Sequence, residues 1–79
     1  MMDNETIRSL IARGLPGAEV QVQGDGVHFE ALVISDLFAG KSMVGRHQMI
    51  YGTLGEHMRH NIHALSIKAL TTAERDGAG

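Results

Sequence analysis

Two short runs of period-two hydrophobicity, joined by Gly24-Asp25-Gly26, constrain this chain more than any other feature. Val20-Gln21-Val22-Gln23 alternates apolar and polar, and Val27-His28-Phe29-Glu30-Ala31-Leu32-Val33-Ile34 follows directly. An Asp-Gly pair between such runs predicts a β-hairpin closed by a type I′ turn, in which both central residues take positive φ. The second run places Val27, Phe29, Ala31 and Val33 on one face and His28, Glu30, Leu32 and Ile34 on the other. Its last four residues are apolar on both faces, which suits a central strand.

The flanking segments change period. Ile7, Leu10 and Ile11 recur at helical spacing, with Asp3 and Asn4 as N-cap candidates and Gly14 with Pro16-Gly17 as the stop, predicting a helix over 4–13. Ser35-Asp36-Leu37-Phe38-Ala39-Gly40-Lys41-Ser42 reads as a turn-rich connector with room for one helical turn. Ser42 then caps a long helix whose stripe is Met43, His47, Ile50, Leu54 and Met58, widened by Val44 and Tyr51. Gly45, Gly52 and Gly55 weaken it by up to ~1 kcal/mol each relative to Ala, so packing must hold it. His60-Asn61 ends that run, and Ile62–Leu70 reads as a third strand with His63, Leu65, Ile67 and Ala69 sharing a face. Thr71–Arg75 can start a last short helix before the Gly-Ala-Gly tail.

The order α-β-β-α-β(-α), with a helical crossover between the last two strands, implies parallel pairing there. The expected fold is α+β: a three-stranded mixed sheet with helices on one face. With 79 residues there is room for one domain, spanning 1–79 with an ordered core over about 4–74 and a flexible C-terminal tail. So short a chain buries only ~60–70% of its unfolded surface, and a core that thin rarely encloses a catalytic pocket. No apolar run approaches 18 residues and the N-terminus is acidic, so a soluble, cytoplasmic protein with no membrane contact is expected.

Three sequence motifs fail, one on spacing and two on their placement along the predicted elements. Gly40-Lys41-Ser42 resembles the end of a phosphate-binding loop, but the Gly required five residues earlier is Ser35. Gly52-Thr53-Leu54-Gly55 has the GxxG spacing of KH domains, yet it falls within the periodicity of one helix. His57, His60 and His63 form H-x-x-H-x-x-H, but the run crosses a helix end, which reads as a surface His57 and a capping His60 rather than a zinc site.

Cysteine is absent while histidine occurs five times. Disulfides, thiol nucleophiles and Cys-ligated clusters held by this chain alone are therefore excluded. His28 and His63 each begin a strand at a sheet end, making a half-set of metal ligands that a partner would have to complete. Lys41, Arg46 and His47 concentrate positive charge at the start of the long helix, the one candidate nucleic-acid edge. Seven Lys and Arg against nine Asp and Glu leave a net charge of −2, and two cations neutralise few phosphates.

Gly24–Phe29, Leu37-Phe38-Ala39-Gly40, Arg46–Tyr51 and Ile62–Lys68 together resemble the BolA family, in order and spacing, over roughly residues 4–74. The resemblance implies a BolA-like (KH-like) fold and no enzymatic activity. It also implies a CGFS monothiol glutaredoxin as partner, the two proteins sharing a [2Fe-2S] cluster completed by the glutaredoxin cysteine and glutathione. The family's histidine ligand corresponds to His63, and His28 matches its variable second ligand. No cofactor is expected in the isolated protein, a monomer or weak homodimer. Imidazole ligands are neutral and protonatable, so such a cluster should be more labile at low pH than an all-thiolate one. Some family members bind DNA, a role attributed to the Arg46-His47 region. The sequence departs from the family where Thr72 replaces a Pro and where no Trp follows strand three.

Overall fold

The computed structural model describes residues 2–62 and 64–77. Asp3 caps α1 (Asn4–Gly14), its side chain accepting from the Thr6 N–H at 2.7 Å. Ile7 and Ile11 face the sheet from α1 and are fully buried. Strands β1 (Glu19–Gly24) and β2 (His28–Ile34) pair antiparallel. Helix α2 spans Met43–Leu54, α3 spans His57–His60, β3 spans Ala64–Leu70 and α4 spans Thr72–Arg75. The sheet order is β1-β2-β3, with β2 central and parallel to β3, as the crossover requires.

Phe29, Ala31 and Val33 of β2 pack under the helices with Ile50 and Leu54 of α2 and with Phe38 from a 3₁₀ turn at Asp36–Phe38. Among the described residues the opposite face of the sheet carries no helix, and it exposes Gln21, Gln23, Glu30, Ser66 and Lys68. The expected α+β arrangement is present. Among the described residues no helix is long and apolar enough to cross a membrane.

Three expectations need correction. The hairpin is not closed by a type I′ turn: among residues 25–28 only Gly26 has positive φ (98°), while the Asp25 side chain caps the turn by accepting from Val27 and His28 N–H. The long helix is two helices. Gly55, at φ 54°, ends α2 and α3 restarts two residues later, because a left-handed residue cannot continue the ladder. The buried face of α2 is also rotated from the expected stripe. Met43, Val44 and Tyr51 are exposed, whereas Arg46 is buried with Ile50 and Leu54.

Arg46 is tolerated inside because its fork is satisfied. It donates to the carbonyls of Lys41 (3.1 Å) and Ala69 (3.0 Å) and to both carboxylate oxygens of Glu74 (2.6 and 3.1 Å). Glu74 in turn closes a capping box with Thr71, accepting from its N–H at 2.8 Å, so α4 forms without the family's Pro. The Arg46 guanidinium, then the Thr71 N–H, hold the Glu74 carboxyl at about 2, below the ordinary 4.5. Its contribution to stability is therefore complete above pH ~4.5 and is lost as pH falls toward 2. Thermal melts of Glu74→Gln should lose less stability than the wild type between pH 5 and 2. Parallel losses in the two proteins would contradict this coupling.

Candidate metal centre

The β1–β2 turn and the start of β3 meet at one end of the sheet. In the parallel β2–β3 register, His28 is the Cα partner of Ala64, which places the two strand starts ~4.8 Å apart across the ladder. His63 lies outside the described residues; in the chain it directly precedes Ala64. His28 is on the helix-free face and its side chain is 76% exposed, so its ring is open to a partner.

The turn that presents His28 is tightly built. Asp25 Oδ1 accepts from Val27 N–H at 2.9 Å and from His28 N–H at 2.8 Å, and these bonds hold the Asp25 carboxyl below the usual carboxylate range. The Asp25 N–H donates to the His28 carbonyl at 3.2 Å. Asp25 Oδ2 lies 3.9 Å from His28 Nδ1. Gln23, Asp25, His28, Glu30, Ala64 and Ser66 border an open depression of about 330 Å³. Among the described residues no three His, Cys, Asp or Glu side chains gather into a metal site.

Gly24 sets the position of this turn. A Cβ there would lie 2.5 Å from the His28 carbonyl oxygen and 2.7 Å from the Phe29 ring, neither of which can swing aside. Gly24→Ala should therefore cost ~1–3 kcal/mol, as overpacking does, and speed amide exchange at the β1–β2 end. An unchanged melt and exchange pattern would show that the turn has slack.

The other candidates do not come together. Lys41 is exposed, but Arg46 is buried in its hydrogen-bonded fork and His47 is half-buried, its ring edge-on to Tyr51 at 6.4 Å between centroids. The expected basic edge is thus weakened to exposed Lys41 and half-buried His47, because Arg46 is buried and gives most of its donors to the fold. The imidazole of His57 pairs with Asn61 at 2.8 Å and that of His60 lies 3.3 Å from Glu56, each within its own turn of chain. His60 is the last residue of α3, and Asn61 occupies the cap.

Two partners escaped the sequence reading although both left a signal. Thr71-x-x-Glu74 has capping-box spacing, which marks Glu74 as a fixed carboxylate. Asp25, three residues before His28, is in the position of a side chain that caps a turn.

A family model for BolA-like protein matches residues 12–74. The chain belongs to the BolA-like family. The acid stress protein IbaG of Escherichia coli is 46% identical over 74 residues, 92% of this BolA-like chain and 88% of the relative. A BolA protein homologue from Coxiella burnetii has a solved structure that superposes with a TM-score of 0.87 at 40% identity, covering 96% of this chain and 99% of that one. The DNA-binding transcriptional regulator BolA of E. coli is 39% identical over 54 residues, 68% of this chain and 51% of its own length. These relatives are named for stress, family or regulation, and none for an enzymatic activity.

Proposed function

We propose that this BolA-like protein is a non-enzymatic partner in iron–sulfur cluster handling that shares a [2Fe-2S] cluster with a CGFS monothiol glutaredoxin. The cluster is cargo held between two proteins. His63 and His28 supply imidazole ligands from this side, and the glutaredoxin cysteine and a glutathione thiolate supply the others. The observation that carries the reading is the β2–β3 register. It sets His28, exposed and free of core packing, opposite the residue that follows His63. The donor chemistry suits the cargo, since imidazole binds iron and, in place of thiolate, raises a [2Fe-2S] potential. Two ligands cannot retain a cluster alone, which makes the partner obligatory.

DNA-binding transcriptional regulation is the role named for the E. coli BolA relative, and among the described residues no geometry favours it. Arg46 is buried and gives four of its five N–H donors to Lys41, Ala69 and Glu74, so it offers a phosphate little of its charge.

The test is anaerobic titration of the protein into cluster-loaded CGFS glutaredoxin with glutathione, read by visible circular dichroism. A new spectrum saturating at a fixed stoichiometry is expected, and His63→Ala should abolish or alter it. Persistence of the glutaredoxin spectrum at excess protein would remove the basis of the proposal.

A further inference from the structure

We infer that Asp25 is a positioning residue for His28: it holds the proton on Nδ1 and so leaves the Nε2 lone pair as the metal-binding atom. This inference rests on the proposed ligand role of His28 and names the group that prepares it.

The carboxylate of Asp25 is not a free surface charge. Two backbone N–H donors, from Val27 and His28, fix Oδ1 and hence the plane of the group. Oδ2 is then held on the imidazole side, 3.9 Å from Nδ1. That separation is longer than a hydrogen bond, so the exposed ring must turn toward Oδ2 or a water must bridge the two atoms. An acceptor fixed beside Nδ1 favours the Nδ1–H tautomer, whereas free histidine prefers Nε2–H. Metal-bound histidines are commonly oriented in this way, through a carboxylate on the non-ligating nitrogen that also raises ligand basicity.

The other groups bordering the depression are Gln23, Glu30 and Ser66. Among them Glu30 carries the other carboxylate, two residues along β2 on the same face. Glu30→Gln therefore separates a local effect of Asp25 from a general loss of negative charge.

Asp25→Asn keeps an Oδ1 acceptor for the turn but removes the charge and can place an amide donor toward Nδ1. The first readout is the His28 tautomer in the free, full-length protein, from two-bond 1H–15N correlation of the neutral ring. Nδ1–H is expected in the wild type and in Glu30→Gln, with a change to Nε2–H in Asp25→Asn. The same tautomer in wild type and Asp25→Asn overturns the inference.

The second readout is the reduction potential of the cluster in the hetero-complex. Asp25→Asn should shift it to more positive values, and by more than Glu30→Gln does. Equal shifts from the two variants, or none, would overturn the tuning of the cluster by Asp25. His28→Ala separates this failure from that of the functional reading. A cluster spectrum unchanged by His28→Ala removes His28 from the ligand set, while the tautomer of the free protein still decides whether Asp25 orients the ring.

Discussion

Phe38→Ala is expected to leave a chain that barely folds. Phe38 is fully buried, on a single 3₁₀ turn between β2 and α2, and its ring lies 5.9 Å from the Arg46 guanidinium carbon. Removing a buried Phe ring costs ~3–5 kcal/mol through lost transfer energy and the cavity left behind. A chain of 79 residues has roughly 4–12 kcal/mol of total stability. The core is thin, and among the described residues no second layer covers the other side of the sheet to absorb the loss. Urea denaturation should show a midpoint lowered by half or more, and Phe38→Leu should recover much of it. A Phe38→Ala midpoint within a few tenths molar of the wild type would mean that the connector does not belong to the core.

Arg46→Leu should be the most damaging change at a charged position. Leucine fills the space of the stem, so the packing lost is small. What remains is the carbonyls of Lys41 and Ala69 and the carboxylate of Glu74 without their donor. The Ala69 carbonyl, left buried and unpaired, costs more than its bond contributed, while the partly exposed Glu74 carboxylate can turn to water. The thermal midpoint should drop by on the order of 10 °C for a domain of this size. Arg46→Lys should rescue little, since an ammonium cannot reproduce a planar fork reaching three partners. Glu74 loses its fork partner in either variant but keeps the Thr71 N–H, so the extra acid sensitivity that distinguishes wild type from Glu74→Gln should shrink, most in Arg46→Leu. Full stability of Arg46→Lys would contradict the role assigned to the fork.

Arg46 also shows why parts of the molecule were hard to read in the sequence. A strand or helix is legible where apolar period and turn chemistry agree, and they agree for α1, for both strands of the hairpin and for the parallel crossover. They disagree in the second half of the chain. The stripe through Met43, His47 and Met58 matched the helical period, yet a buried arginine took one face and a left-handed Gly55 cut the run. Neither is visible to a rule that counts apolar residues, because both depend on partners distant in sequence or on one dihedral angle. The last short helix is legible from Thr71–Arg75, and the Thr71-x-x-Glu74 spacing supplies the capping box that starts it without Pro at position 72.

At the candidate site, the sequence located His28 by residue type and by its place at a strand start. It could not supply the register that pairs His28 with Ala64, nor the fixing of Asp25 by two backbone donors. Register follows from how the whole sheet packs against α1 and α2, so it is a property of the folded core. The same core explains the loss of the basic edge: Arg46 is drawn inward by acceptors that only the folded chain brings together.

The most direct measurement of shared cluster binding is pulsed electron paramagnetic resonance on the reduced hetero-complex, prepared with [15N]histidine in this protein alone. Strong couplings from two 15N nuclei are expected, one lost in His63→Ala and the other in His28→Ala. A spectrum without strongly coupled 15N would show that the iron has no histidine ligand from this chain, and would contradict the account at its centre.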